Sequence, residues 1–345
     1  MKRITIKDIA LRLGVSASTV SRALGGDPHI SAETRELVVS TARQLGYRRN
    51  PYAASLRHGS AVTHTVGVLV PELISPFFTS ICIGMQDVLC PEGFTVIVAP
   101  SDEDPAKELF NIGSMRGARV DGILISITDP HRSMPELATL REEGIPVVFF
   151  DRHPAEFSSA PGEDFPAVVV QDRLKAFFLT EHLIRSGCSR IVHLPGPESI
   201  HKYREIRRGY AEALDKFGLH SPLCPVPAPV LTVEAGAAAA DALLDSGVDF
   251  DAVFACDDLP AIGLMNRLRE RGYDVPDRIA VAGFAGSPLS DILFPPLTTV
   301  EPALEQMGHK AARMLLALMD SKEVPPESLT VDADIKVRSS SALKR

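Results

Sequence analysis

Nine consecutive residues, Ser16-Ala17-Ser18-Thr19-Val20-Ser21-Arg22-Ala23-Leu24, gather side chains suited to reading a nucleic acid. Wound as a helix, they turn Val20, Ala23 and Leu24 inward and leave Ala17, Ser18, Ser21 and Arg22 outward. Small hydroxyls reach phosphates or base edges, an alanine methyl meets a thymine methyl, and an arginine forks onto guanine. The helix start adds backbone N–H groups for a phosphate. A small helical bundle with merely solvated Ser and Thr would show the same pattern, so spacing alone leaves both readings open. Other chemistry has less of a foothold. There is no G-x-G-x-x-G after Val66–Val70, no Walker lysine, no G-x-S-x-G and no H-E-x-x-H. Cys82, Cys90, Cys188, Cys224 and Cys256 are scattered without a Cys-x-x-Cys pair, which argues against zinc ligation and a disulfide framework. Catalysis, a cofactor and a metal are therefore not expected.

Charge points toward DNA. Residues 1–60 hold ten Lys/Arg against four Asp/Glu, a net of +6, and the remainder holds 26 against 40, a net of −14. An acidic chain with one basic, helix-patterned end concentrates its polyanion contact there. Three helical patterns fill that end. Thr5 to Asp8 fits a capping box before the stripe Ile6, Ile9, Ala10 and Leu13. Gly14 ends this helix, Val15 plugs the corner, and Ser16 caps a second helix to about Leu24. Ser31 caps a third through Leu45, with Gly46 beyond it. A helix, a tight turn and a helix of this length can lay the second helix in the major groove.

From Val66 the pattern alternates strands and helices. Strand-like runs at 66–70, 94–98, 121–125 and 146–150 form one series, and runs at 167–170, 190–194, 251–255 and 278–283 form another. Helical stretches between most of them predict βαβ units and parallel sheets, in two similar α/β subdomains with a cleft between. The irregular stretch 153–166, with three prolines, reads as the crossing. The N-terminus lacks a signal-peptide pattern, and no apolar run approaches the ~20 residues of a membrane span, so a soluble cytoplasmic protein is expected.

The exact residues go further. TIKDIALRLGVSASTVSRALGG and ISAETRELVVSTARQLGYRRNP resemble the headpiece of the LacI/GalR family of bacterial transcription regulators. The resemblance continues through VPELISPFF, DGILIS, IPVVFFDR, FACDDLPAIG, VPDRIAVAGF and PPLTTVEPALEQMG, so it covers essentially the whole chain. It implies a helix-turn-helix headpiece over residues 1–49, a hinge over 50–61, and a periplasmic-binding-protein-like core over 62–345. The first subdomain is expected at about 62–161 and 291–320, the second at about 162–290 and 321–340.

The resemblance places DNA contacts at Thr5, Ser16, Ala17, Ser18, Thr19, Ser21, Arg22 and His29, and in the hinge at Asn50, Ala53 and Leu56. Pro51 suits a first helical position there, and so short a helix orders only on DNA or against a dimer mate. Leu56 would wedge between base pairs and open the minor groove; without the resemblance it reads as a spacer. Arg49 departs from the family's frequent proline. Phe78, Asp151, Arg152 and Asp257 are expected to line an effector pocket. From the residues alone, Phe78 could equally be core, Asp151–Arg152 a local ion pair and Asp257–Asp258 a helix cap.

Departures from the family matter here. Ile206 stands where an effector-binding arginine is frequent, leaving Arg204 and Arg207, with Arg208, as substitutes. Ala285-Gly286 follows Gly283-Phe284 where an aspartate is common, Leu231 replaces a phenylalanine, and Pro100 an asparagine. Either the effector is not a typical neutral sugar or the site is rebuilt; the Gly-Phe-x-Gly pattern resembles that of gluconate-responsive members, which implies a sugar acid whose carboxylate the nearby arginines could hold. The expectation is a homodimeric repressor reading a pseudo-palindromic operator, its affinity set by a small sugar or sugar-acid effector. Either an inducer or a corepressor satisfies it. No leucine heptads follow Leu329, so a dimer is favoured over a tetramer. A cytoplasmic sugar-binding protein and an enzyme on the same scaffold are the rival readings.

Overall fold

The structure, a computed structural model, describes residues 4–47, 63–154, 165–222, 224–226, 231–321 and 328–342. The chain divides into two compact units, Met1–Thr63 and His64–Arg345.

In the first unit, α1 (Ile6–Leu13), α2 (Ala17–Leu24) and α3 (Ala32–Gln44) follow from their local signals. The Asp8 carboxylate accepts from the Thr5 N–H at 2.7 Å and its hydroxyl at 2.6 Å, while Ser16 Oγ accepts from the Thr19 N–H at 3.0 Å. Gly14 ends α1 at φ +66°, a left-handed turn that a Cβ would strain. Ile9, Ala10, Val20, Ala23, Val38 and Ala42 bury one small core from all three helices.

The second unit holds two sheets. Thr65–Val70 (β1), Thr95–Pro100 (β2), Gly122–Ile125 (β3), Val147–Phe150 (β4), Ala167–Val170 (β5) and Leu329–Val331 (β10) pair in the order β10-β5-β4-β3-β1-β2, all parallel. The second sheet has the order β11-β9-β8-β7-β6. It comprises Ile191–Leu194 (β6), Ala252–Ala255 (β7), Ala280–Gly283 (β8), Thr298–Pro302 (β9) and an antiparallel Ala333–Lys336 (β11). Strands covered on both faces can be uniformly apolar, and β1, β3, β4, β6, β7 and β8 are buried throughout.

The expected subdomain limits shift at three strands. β5, expected with the second subdomain, extends the first sheet, where Val168 pairs with Phe150. β9, expected with the first, pairs with β8, and β10, expected with the second, pairs with β5. Local pattern marks a strand but does not name its neighbour. Among the described residues the chain therefore passes between sheets at Gln171, Ala303 and Asp332. The last two are tied by an Ala303 N–H to Asp332 carbonyl bond of 3.0 Å.

Pro76–Leu89 (α4) and Leu304–Ser321 (α12) pack together against the first sheet, which Pro105–Ala118 (α5) and Pro130–Glu142 (α6) also flank. Asp172–Arg185 (α7) and His201–Lys216 (α8) pair by the second sheet, as do Val233–Asp245 (α9) and Asp258–Glu270 (α10). A short helix, Leu289–Ile292 (α11), precedes β9. α8 lies so close to α7 that a Cβ at Gly209 would sit 2.0 Å from the Arg173 carbonyl oxygen. That closeness sets the depth at which α8 presents its side chains.

Candidate functional site

On the first unit, Ser16 does structural work: it caps α2, and its Oγ lies 2.6 Å from Ser18 Oγ and 2.8 Å from Thr19 Oγ1. Ser18, Arg22 and His29 are exposed, as is Thr5; Thr19 and Ser21 are half-buried. Ala17, expected fully outward, is also half-buried and packs on the headpiece core. Asn50, Ala53 and Leu56 lie outside the described residues. The first turn of α2 supplies N–H groups that have no helical carbonyl behind them, and Arg22 carries the only full positive charge of α2. The face can therefore meet an anionic backbone and present a few polar tips beside it.

On the second unit, a cleft gathers side chains from both sheets. Glu72, Ser75, Phe77, Phe78, Glu103, Asp151 and Arg152 come from the first-sheet side, and Lys202, Tyr203, Leu231, Asp257 and Leu259 from the second. β4 delivers two consecutive charged residues because Asp151 adopts φ +57°, which breaks the in-out alternation of a strand. Both are buried, at 3% and 4% exposure.

Arg152 forks onto Glu103 at 2.9 and 2.8 Å and donates to the Tyr203 hydroxyl at 3.0 Å. Its guanidinium also lies 5.4 Å from the Tyr203 ring centre and 6.0 Å from that of Phe78. Lys202 pairs with Asp151 and sits 5.0 Å over the Phe77 ring. Burial works to lower the lysine pKa, but Asp151 and Asp172 outweigh it and hold the ammonium charged. Burial, reinforced by Asp258, pushes the Asp257 carboxyl up to about 7. Burial likewise raises Glu72, although its carboxylate accepts from the Ser75 N–H at 2.7 Å.

Asp151 and Arg152 are not a local pair, since each binds a partner about fifty positions away. Phe78 is core and lines the cleft as well. Asp257 caps α10 through the Leu259 N–H at 3.0 Å while facing the cleft. Asp258 instead anchors the segment after β8, accepting from the Ser287 N–H at 2.7 Å, Ser290 Oγ at 2.9 Å and Thr299 Oγ1 at 2.6 Å.

Arg204 and Arg207 correct the expectation, because neither lines the cleft. Both turn to Glu198, Arg204 to its carbonyl and Arg207 to its carboxylate, and Arg208 pairs with Glu205. Helical phase is the reason: α8 buries Lys202, Tyr203, Ile206, Gly209 and Tyr210, and the arginines fall on the opposite stripe. The same spacing was the signal that could have found Lys202 and Tyr203. Among the described residues, no group of three or more His, Cys, Asp or Glu could hold a metal, and no helix is long and apolar enough to cross a membrane.

Residues 5–50 match the family described as bacterial regulatory proteins, lacI family, and residues 180–341 match a periplasmic binding protein-like domain. The HTH-type transcriptional regulator CelR of Thermobifida fusca is 31% identical over 98% of each chain. The ribose operon repressor of Halalkalibacterium halodurans is 28% identical over 97% of this chain and 96% of its own. A solved transcriptional regulator CelR–cellobiose complex superimposes with a TM-score of 0.72 at 30% identity, covering 98% of this chain and all of that one. With a helix-turn-helix headpiece joined to a two-sheet ligand-binding core along the full length of such relatives, the chain belongs to the lacI family of bacterial regulatory proteins.

Proposed function

We propose that the chain is a cytoplasmic, homodimeric transcriptional repressor that reads a pseudo-palindromic operator and releases or holds it according to a sugar-like effector in the cleft. The observation that carries this reading is the cleft itself. Asp151 and Arg152 on one side and Lys202 and Tyr203 on the other join the two sheets through buried polar contacts. A ligand entering there exchanges those contacts for its own, and so changes the relative stability of two arrangements of the sheets. Arg22, Ser18 and the start of α2 are the DNA-reading group, with Leu56 as a minor-groove wedge.

The effector proposed is a neutral polyhydroxyl molecule. The arginines that favoured a sugar acid lie outside the cleft, while Arg152 and Lys202 are already paired with Glu103 and Asp151. A ligand carboxylate would have to displace one of these acids; sugar hydroxyls can donate to them instead. The relative's complex with cellobiose supports a sugar-like occupant. Exposed apolar residues supply surfaces for a dimer: Ile97 and Phe110 beside edge strand β2, and Ile292 and Phe294, 78% and 81% exposed, at α11.

A gel shift against the upstream region of the protein's own operon, at two salt concentrations, tests the repressor reading. Sequence-preferring binding that weakens with salt is expected, and its absence overturns the reading. Leu56→Ala should weaken specific binding more than non-specific binding. A thermal-shift screen of sugars, sugar acids and nucleobases tests the cleft; stabilisation by sugar acids alone overturns the neutral effector.

A further inference from the structure

A second groove, of about 580 Å3, opens between β5, the start of α7 and the facing side of α8. Its size is that of a small-molecule site. Val169, Leu174, Phe177 and Phe178 make it largely apolar, and Leu174 and Phe178 are both 44% exposed. Two buried polar atoms of its lining have no hydrogen-bond partner, His153 Nδ1 and Asp172 Oδ1, and only the second belongs to a group that can carry negative charge. Asp172 is 8% exposed. Buried polar atoms are rarely left unpaired, and an exception calls for a reason.

We propose that this groove is a second ligand site, in which Asp172 receives the ammonium group of a small amine whose apolar or aromatic body lies on Leu174, Phe177 and Phe178. The surrounding charge selects that class. Glu205 and Glu212 also line the groove, and the one arginine there, Arg173, is held by Glu212 through an Nε–Oε2 bond of 3.0 Å. An anionic ligand would meet carboxylates with no uncommitted cation. Lys202 is the cation that acts on Asp172 electrostatically, but its ammonium is bonded to Asp151. Aromatic faces favour a cation over a neutral group of equal size.

Proton linkage gives the site a signature. Burial pushes the Asp172 carboxyl up to about 8, with Asp151 and Glu205 adding to the rise and Lys202 opposing it. His153, whose ring meets that of His201 at 4.8 Å, is held to about 4 by burial and stays neutral through the relevant range. Near neutral pH the carboxyl must therefore give up a proton as the ammonium arrives. Amine binding releases that proton and tightens as pH rises toward 8.

Calorimetry on the full-length protein tests this with 2-phenylethylamine and its uncharged counterpart 2-phenylethanol. The amine should bind at least about tenfold more tightly than the alcohol, and severalfold more tightly at about pH 8 than at about pH 6.5. Asp172→Asn should cost the amine about tenfold or more, whereas Asp257→Asn in the cleft should leave its affinity unchanged. Phe178→Ala, at a partly exposed ring, should weaken the amine severalfold and serves if the Asp172 variant does not fold. No binding of the amine at millimolar concentration, equal binding of the alcohol, or unchanged affinity in the variants overturns the proposal.

Discussion

The headpiece and the cleft solve the placement of polar side chains in opposite ways. In the headpiece polar side chains are set by near neighbours, as when Ser16 caps α2 at Thr19 and Ser31 caps α3 at Thr34. In the cleft, Arg152 reaches Glu103 and Tyr203, and Lys202 reaches Asp151, across about fifty positions each. Local placement leaves polar tips exposed for a partner already at hand. Distant placement makes the polar contacts part of what joins the two sheets.

The comparison breaks most sharply at Val20, which is fully buried in the headpiece core. Val20→Asp puts an unpaired charge there at a cost of several kcal/mol, more than so small a unit can spare. Loss of all operator binding is expected, with the core melting transition unmoved; a shifted core transition would show that the units are not independent. Next in size is Lys202→Met, which strands Asp151 as a buried charge and should destabilise the core by about 3 kcal/mol. Pairing it with Asp151→Asn should restore much of that loss in a denaturant titration. If the double variant is no better than the single, the pair is not the element that was broken.

A smaller effect is expected from pH. Asp172 and Asp257, raised to about 8 and about 7, contribute stability that is complete below their unfolded value and lost as pH rises through the folded one. His153 and His193, lowered by burial to about 4, contribute stability that is present above their unfolded value and lost as pH falls. From about pH 6.5 to 8.5 only the carboxyls titrate, and core stability should fall by on the order of 2 kcal/mol. Asp257→Asn should flatten that decline, and an unchanged slope in melts across this range would count against its raised pKa. Ser16→Ala should have the mildest effect, about 1 kcal/mol of headpiece stability from a lost cap, with ligand binding by the core untouched. A comparable loss in the core would blur the distinction.

This contrast also explains what could be read in the sequence. Thr5, Ser16, Gly14 and Ser31 signal helix ends through bonds that close within a few residues, so the three headpiece helices were legible nearly to the residue. The apolar runs of β1, β3, β4, β7 and β8 were legible because burial on both faces demands them. β9, β10 and β11 were not, since they are short and partly polar and are defined by partners elsewhere in the chain. Lys202 carries no local signal, because the partner that keeps it in the cleft, Asp151, is distant in sequence. Arg204 and Arg207 are suggested by their place beside Ile206, where the family frequently has an arginine, although their helical phase points them away.

The interleaving of the sheets has a consequence for synthesis. The headpiece uses only residues near the N-terminus and can be complete early on the ribosome. The first sheet cannot, because its outermost strand is Leu329–Val331, and until that strand emerges the backbone of β5 has one uncovered side. β9 waits in the same way for Ala333–Lys336. A nascent chain therefore carries a finished DNA-binding unit ahead of an unfinished sensor with two open strand edges. Emergence of residues 329–336 closes both sheets almost together, so these two short strands set when the sensor can begin to govern the reader.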